Sequence, residues 1–387
     1  MPVYRQLGEI PSKRHKVFRR PSGELYGEEL IGNMGFTGPS SLMYHVHRPT
    51  AVRALKVIKQ VKWQAAAPEP LRHRHFRTRQ LDQAGDAIVD RSPLLFNNDV
   101  SLEMVRPAEQ ISSFYRNAQG DEIVFISEGE GALESPFGGL AFHSGDYLVI
   151  PRGILHRYRF TSEKRLLLTI ESAGYVRTPK RYRNAFGQLM ESSPYSERDM
   201  RGPQTLETHD EKGEFKLIVK KANTFTEMVL AYHPFDAVGW DGFYYPWAIN
   251  IHDFEPRVGR FHLPPPTHQT FEGDGFVVCS FCPRPYDFDP DAVPAPYSHS
   301  NVMSDEVLYY ANSEFMSRTG IEYGSVTLHP DGLAHGPQPG RTEASIGQKE
   351  TGELAVMIDT FRGLQVSEEA TGIEDRDYYL SWLDRSS

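Results

Sequence analysis

The chain has 387 residues, enough to bury a sizeable core and to form two or three domains. Its 28 prolines and 32 glycines, together with 22 phenylalanines and 19 tyrosines, favour a turn-rich β protein over a helical one. A formal net charge of −9 argues against a nucleic-acid partner, because binding to phosphates needs a basic surface.

The sequence predicts a soluble, cytoplasmic protein with no membrane partner. No apolar run approaches the roughly 20 residues that span a bilayer, and residues 1–20 are basic and polar, without an apolar signal core. Cys279 and Cys282 are too few for a disulfide framework. Because their C-x-x-C spacing lies in an apolar, strand-like stretch, we interpret them as ordinary strand residues.

The first half of the chain predicts an arm followed by a β lobe. Residues 1–95 mix basic patches with short apolar runs, which is typical of an arm of short strands. Residues 96–183 form the first lobe, in which the β-branched and aromatic runs at 122–126 and 146–150 are bounded by glycine.

The second half predicts a linker, a second lobe and a tail. Residues 184–213 are polar and charged and rich in turn formers, so we predict a linker between lobes. β character resumes over residues 214–365. In the tail, residues 366–387, an aromatic cluster is expected to dock rather than fray.

One pattern, G-x5-P-x-G-x2-H, occurs in both lobes, and we call it the corner motif. It ends at His156 in the first lobe and at His335 in the second. A shorter pattern precedes each copy; its members are Tyr115, Asn117 and Glu122 in the first lobe and His299, Asn301 and Glu306 in the second. Such repeats indicate one architectural unit used twice. We therefore predict a mainly β chain with two cupin (jelly-roll) barrels and an N-terminal arm of short strands.

The second copy also predicts a metal site. Residues i and i+2 of a strand face the same side, so His299 faces the barrel interior with position 301. Glu306 follows after a tight turn, and the corner motif delivers His335 from another strand. Two imidazoles and a carboxylate suit a non-haem Fe(II) centre, or catalytic zinc with a bound water. Asp305 is the rival carboxylate; Glu306 is favoured because it aligns with Glu122.

Some of the remaining histidines have no predicted role at the metal site, and others are candidates for one. His73 and His75 lie in an arginine-rich run, and we interpret them as part of a solvated face. His156 lacks neighbouring ligands, so we expect no metal in the first lobe. His268 follows three prolines that stiffen its loop, and His329 precedes the corner proline, where it would orient a ligand.

These motifs resemble the homogentisate 1,2-dioxygenases, iron-dependent two-lobed cupin enzymes of tyrosine and phenylalanine catabolism. The resemblance is carried by P-Y-S-H-S-N at residues 296–301, by M-S and an acid at 303–305, and by L-H and A-H-G-P at 328–329 and 334–337. Weaker similarity covers about two thirds of the chain, which resembles a short, bacterial-type member.

The resemblance implies Fe(II) as cofactor, with His299, Glu306 and His335 as its ligands. It also implies a small aromatic substrate and O2, with homogentisate opened to 4-maleylacetoacetate. One departure concerns the acid: better-known members place it six residues after the first histidine, which is Asp305 here rather than Glu306.

The resemblance assigns the other site residues by position. His268 would be the base for a substrate hydroxyl, with a pKa near neutrality, Tyr297 would contact substrate, and His329 would lie beside the ligands. Where better-known members carry an Arg and a Tyr that recognise substrate, this chain has Asn312 and Phe315 in an ungapped comparison.

Several functions remain open at this point. A dioxygenase for a gentisate or a plain hydroquinone would use the same centre, and a cupin isomerase would hold zinc or manganese there without consuming oxygen. A binding or storage bicupin would have little need for a ligand set. The aromatic-rich barrels and long N-terminal arm also predict a homo-oligomer.

Overall fold

The computed structural model describes residues 3–383. Over this range the chain is built mainly from β-strands, and its helices are short 3-10 turns apart from one five-residue α-helix. The predicted fold, two cupin barrels with an N-terminal arm of short strands, is confirmed. No helix within residues 3–383 is both long and apolar enough to cross a bilayer.

The bounds of the elements follow in chain order. The first strands are β1 (Arg5–Gly8), β2 (Gly27–Gly32), β3 (Ser40–His45), β4 (Val52–Gln60), β5 (Arg74–Arg77), β6 (Ser92–Phe96), β7 (Val100–Val105), β8 (Phe114–Asn117), β9 (Asp121–Glu128), β10 (Gly131–Ser135), β11 (Gly138–Phe142), β12 (Asp146–Ile150), β13 (Leu155–Phe160) and β14 (Leu166–Ser172). They continue with β15 (Lys212–Lys221), β16 (Thr224–Tyr232), β17 (Ala237–Gly242), β18 (Trp247–Asn250), β19 (Gln269–Gly273), β20 (Phe276–Phe281), β21 (Arg284–Pro285), β22 (His299–Ser300), β23 (Asp305–Tyr310), β24 (Ser325–His329), β25 (Ala334–His335), β26 (Glu350–Thr351), β27 (Ala355–Thr360) and β28 (Gln365–Val366). The helices are α1 (Arg341–Ser345) and the 3-10 turns Thr78–Gln80, Lys180–Tyr182, Glu197–Asp199, Ile251–Asp253, Pro265–His268, Glu369–Ile373 and Tyr378–Trp382.

Two seven-stranded sheets form the N-terminal barrel, in the orders β11-β10-β13-β8-β15-β16-β4 and β18-β12-β9-β14-β7-β6-β28. β9 and β14 lie in the middle of the second sheet and are buried over nearly their whole length. Because both of their faces are covered, each strand contains a continuous apolar run, residues 123–126 in β9 and 166–168 in β14, rather than an alternating pattern. A four-stranded sheet, β1-β17-β3-β2, packs beside this barrel.

The N-terminal lobe extends further along the chain than predicted, and residues 184–213 do not separate the two lobes. β15 and β16, assigned from sequence to the second lobe, pair with β8 and β4 of the first. β18 likewise pairs with β12. The polar composition marked irregular backbone correctly. Such backbone can pack along a sheet, however, as Arg201 does beside Ala248, as well as join two lobes.

The C-terminal barrel is completed by a strand from the N-terminal arm. Its main sheet has the order β19-β20-β27-β23-β24-β5, and the short pairs β21-β26 and β22-β25 accompany it. His75 on β5 is fully buried, with Nε2 2.7 Å from the Ser325 hydroxyl. The interpretation of this histidine pair as a solvated face is therefore wrong for His75, whereas His73 is half-buried. The neighbouring Arg74 is neutralised by the buried Glu374 at 3.1 Å, so the basic run can lie within the fold.

The tail packs against this same strand. Arg72 donates a hydrogen bond to Glu374 at 2.9 Å, and Trp382 Nε1 donates to the Gly336 carbonyl at 3.0 Å. The Trp382 ring lies 4.9 Å from the ring of His73, which in turn lies 6.0 Å from that of His335. The arm and the tail thus cover one side of the second barrel together.

The two lobes share one hydrophobic core. Ser127 of the first lobe contacts the hydroxyls of Tyr309 and Tyr323 at 2.5 and 2.7 Å. Cys279 and Cys282 are free and buried. Cys279 lies on β20, as interpreted, whereas Cys282 directly follows the end of that strand.

Candidate metal centre

His299, Glu306 and His335 converge in the C-terminal barrel from β22, β23 and β25. Glu306 Oε2 lies 3.7 Å from His299 Nε2, and Oε1 lies 3.5 Å from His335 Nε2. One ligand atom from each residue falls within 4.8 Å of the others. Two atoms bound at about 2.1 Å to one ion, at roughly 90–110°, are about 3.0–3.4 Å apart. The cluster therefore fits a single divalent cation after small adjustments.

Both imidazoles are oriented by the backbone. His299 Nδ1 lies 3.2 Å from the Tyr297 carbonyl, and His335 Nδ1 lies 3.2 Å from the Leu333 carbonyl. A carbonyl oxygen only accepts, so Nδ1 carries the proton and the Nε2 lone pair is free to bind a metal. His335 Nε2 is buried without a hydrogen-bond partner, as expected of a nitrogen that binds an ion.

The corner motif has the same geometry in both lobes. Gly153 and Gly332 have φ angles of +84° and +76°, which favour glycine. Each donates its N–H over 2.7 Å, to Asn117 O in the first lobe and to Asn301 O in the second. The repeat therefore reflects one corner built twice.

His329 orients the carboxylate of Glu306. Its Nδ1 lies 2.8 Å from Glu306 Oε1, and because a carboxylate only accepts, the imidazole is the donor. Burial opposes ionisation of Glu306, but the neighbouring imidazoles of His299, His329 and His335 hold its pKa well below the usual range. Burial lowers the pKa of His329 to about 3, against the opposing pull of Glu306. The group is thus a neutral imidazole beside a carboxylate anion.

Asp305, the rival carboxylate, points away from the cluster. Its Oδ1 accepts from the Asp331 N–H at 2.8 Å and its Oδ2 from the Leu364 N–H at 2.6 Å. Adjacent residues of a strand face opposite sides, so only one of the two acids can reach the barrel interior. In this structure that acid is Glu306.

The equivalent position in the first lobe holds a guanidinium group. Arg91 Nη1 and Nη2 donate to the two oxygens of Glu122, each over 3.1 Å. Asn117 and Tyr115 donate to the same carboxylate at 2.9 and 3.2 Å. Burial opposes ionisation, but Arg91 lowers the pKa of Glu122 to about 2. An internal cation thus neutralises the acid that aligns with Glu306.

A cavity of about 400 Å³ opens beside the cluster, and His268 lies in its wall. Burial, with smaller effects of Arg284 and His262, lowers the pKa of His268 to about 3. The expectation that His268 titrates near neutrality is wrong, because its ring is enclosed by apolar neighbours such as Phe281 at 4.9 Å. At pH 7 it is a neutral imidazole whose Nδ1 has no partner.

Tyr297, predicted to contact substrate, lies at this cavity, and so does one of the two residues that replace the family's substrate-recognising Arg and Tyr. Tyr297 lines it and is 64% exposed, with its ring 5.2 Å from that of His262. Phe315 also lines the cavity, whereas Asn312 donates to the Gly352 carbonyl at 2.7 Å. The Asn312 amide is therefore used to fix its loop, and it does not line the cavity.

Arg318 lines the same cavity and was missed from the sequence. It is buried, and its Nη1 donates to the carbonyls of Gly336 at 2.6 Å and Ser317 at 3.2 Å, while Nε has no partner. Its guanidinium carbon lies 5.4 Å from the Trp382 ring centroid. Arg318 lies in a loop with no periodic pattern, so its proximity to the cluster follows only from the fold.

Asp359 is a second missed residue, on β27 beside Glu306. Burial and the charge of Glu306, partly offset by His299, raise the pKa of Asp359 to about 7. It lines the cavity but does not belong to the three-residue cluster. The sequence offered no signal for it, because an acid ending an apolar strand usually faces solvent.

Comparison with known proteins adds sequence relatives over the whole chain. A family model described as "Homogentisate 1,2-dioxygenase N-terminal" matches residues 19–251. "Putative dioxygenase SSO1533" of Saccharolobus solfataricus is 42% identical, over 99% of this chain and 99% of its own. A homogentisate 1,2-dioxygenase of Rhodopseudomonas palustris is 26% identical, over 97% of this chain and 90% of its own. A solved cupin barrel protein from Leptotrichia buccalis is 10% identical with a TM-score of 0.34, covering 79% of this chain and 100% of that one.

Proposed function

Because this chain belongs to the homogentisate 1,2-dioxygenase family, we propose that it is an Fe(II)-dependent, extradiol-type dioxygenase that cleaves the ring of homogentisate with O2. The observation that carries the proposal is the convergence of two imidazoles and one carboxylate, His299, His335 and Glu306, beside a cavity of about 400 Å³. That donor set suits a non-haem Fe(II) oxygenase.

Fe(II) held by these three residues supplies redox activation of O2 and polarisation of a phenolic oxygen. His329 donates a hydrogen bond from its Nδ1–H to Glu306 and keeps that carboxylate oriented and ionised. His268, a neutral imidazole whose Nδ1 has no partner, would hydrogen-bond the phenolic hydroxyl and orient it. Its low pKa means that it would accept the phenolic proton only from a phenol made more acidic by binding to the metal. The apolar wall around His268 limits the access of water to that nitrogen.

The surroundings of Arg318 support the proposal that the substrate carries a carboxylate. No carboxylate within residues 3–383 forms an ion pair with it at 4.0 Å or less, whereas the nearby Arg284 is paired with Glu353 at 2.6 Å. A buried cation without a counter-ion is unfavourable unless a ligand supplies the opposite charge. The anionic side arm of homogentisate would supply it.

The proposed function is tested by oxygen consumption after anaerobic loading with Fe(II). A panel of homogentisate, gentisate and hydroquinone separates the proposed substrate from the alternative aromatic diols. We expect uptake with homogentisate and a product that absorbs as an opened-ring dienone. Oxygen uptake with gentisate or hydroquinone but not with homogentisate would show that the proposed substrate is wrong. No uptake with any of the three compounds would favour the isomerase alternative.

Replacing Arg318 by methionine is expected to raise KM for homogentisate by about 10–100-fold, the effect of losing one charge-assisted hydrogen bond. Phenol, which lacks a carboxylate, provides the internal control, and its inhibition constant should change by less than about threefold. Arg318→Lys keeps the charge and should recover part of the loss. An equal weakening of both ligands would mean that Arg318 acts only on the fold.

We also propose that the protein is a cytoplasmic homo-oligomer. β4 forms the outer edge of a seven-stranded sheet and is exposed along its whole length. Leu55 and Val57 on this strand are 64% and 67% exposed. An exposed apolar edge supports association, because such edges otherwise promote aggregation. Light scattering that detects monomers alone at micromolar concentration would contradict this proposal.

A further inference from the structure

Asp359 lies in the same row of side chains as Glu306. In the antiparallel ladder, Glu306 is opposite Asp359 on β27 and opposite His329 on β24. Residues directly opposite each other project to the same face of a sheet, with Cβ atoms about 4.5–5.5 Å apart. Both acids therefore face the cavity, which both of them line.

The carboxyl group of Asp359 has an unsatisfied oxygen. Its Oδ1 is buried and finds no hydrogen-bond donor among residues 3–383. Asp359 is also absent from the cluster of metal-binding atoms formed by His299, Glu306 and His335. A buried acceptor without a donor is unfavourable, and a ligand that brings its own donor removes that penalty.

We propose that Asp359 accepts a hydrogen bond from a ring hydroxyl of the substrate, and that it selects hydroxylated rings over rings with an anionic group at that point. The inference rests on the proposed function. Asp359 supplies an acceptor and Arg318 supplies donors in one cavity. A ring with a hydroxyl and a carboxylate can therefore bind in one orientation only, because the reverse orientation brings two carboxylates together.

The test measures binding, so that it does not depend on turnover. The Zn(II)-loaded protein and its Asp359→Asn variant are titrated by calorimetry with homogentisate, 2-hydroxyphenylacetate, 3-hydroxyphenylacetate and phenylacetate. Asparagine has nearly the same shape but cannot carry a negative charge. The titrations are made above the pKa of Asp359, about 7, so that the wild-type side chain is a carboxylate. We expect Asp359→Asn to weaken the binding of homogentisate and of one monohydroxy ligand by about tenfold. The binding of phenylacetate should weaken by less than about twofold.

The outcomes separate this inference from the proposed function. If the wild-type protein binds none of the hydroxylated ligands, the proposed function fails and Asp359 loses its role with it. If the wild-type protein binds them, two results overturn only the inference about Asp359. One is that Asp359→Asn weakens the binding of all four ligands equally, and the other is that it weakens the binding of none. Loss of zinc from Asp359→Asn would also overturn it, because Asp359 would then act on the metal. Asp359→Glu, which keeps the carboxylate, should retain the discrimination between ligands.

Discussion

Replacing His335 by alanine is expected to abolish both metal binding and oxygen uptake. His335 Nε2 lies 3.5 Å from Glu306 Oε1, and its loss leaves one imidazole and one carboxylate. Two protein ligands hold a first-row divalent ion far more weakly than three, so metal content should fall from stoichiometric to background. Elemental analysis after gel filtration and an oxygen electrode measure the two effects on one sample.

The internal repeat supplies a matched control for this variant. His156 occupies the same position of the corner motif and is buried. Its Nδ1 lies 3.0 Å from the Ile154 carbonyl, just as His335 Nδ1 lies 3.2 Å from the Leu333 carbonyl. His156→Ala therefore creates a similar cavity without touching the cluster. It should lower the melting temperature but keep the metal. If His335→Ala retained stoichiometric metal, the proposed ligand set would be wrong.

Replacing Arg91 by alanine is expected to destabilise the first lobe by about 3–5 kcal/mol, because Glu122 would remain buried without its cation. Glu103 would lose one of its two cations and keep Lys220 at 3.5 Å. Arg91 holds the pKa of Glu122 at about 2 against the opposing effect of burial. A depressed carboxyl pKa stabilises the fold above the unfolded value, near 4.5. That contribution is lost as the pH falls toward about 2. Thermal and denaturant unfolding between pH 7 and pH 3 measure both effects.

Two further variants test the electrostatic origin of that loss. Arg362 is 66% exposed and lies 3.4 Å from Asp99, so Arg362→Ala removes a solvated ion pair and should cost less than about 1 kcal/mol. The double variant Arg91→Met, Glu122→Gln removes both buried charges and should recover much of the stability. Equal losses of stability in Arg91→Ala and Arg362→Ala would show that the buried ion pairs contribute no more than a solvated one.

The family and the convergence of the cluster were accessible from the sequence because both depend on short spacings. The match of the family model to residues 19–251 confirms the resemblance. His299 and Glu306 lie within one hairpin, and the corner motif fixes the turn that carries His335, so a few residues of pattern specify the approach of each side chain. The roles of His268, Tyr297 and His329 stay predictions.

The remaining features depend on pairing between distant segments, which no local pattern encodes. Asp359 meets Glu306 only because β27 pairs with β23. Arg91 reaches Glu122 from the segment that precedes β6, and sequence alone gave no reason to join them. The boundary at residues 184–213 was misplaced for the same reason, since composition distinguishes irregular backbone from strand but not one lobe from the other.

The pairing of β5 with β24 has a consequence for biosynthesis. A ribosome makes β5 early and β24 late, so the arm emerges with its hydrogen-bonding edge unsatisfied while most of the chain is still being translated. The aromatic turn Tyr378–Trp382 that packs on this arm emerges later still. Binding of a metal at the cluster should therefore be post-translational, and nascent chains should be clients of holdase chaperones until the second barrel closes.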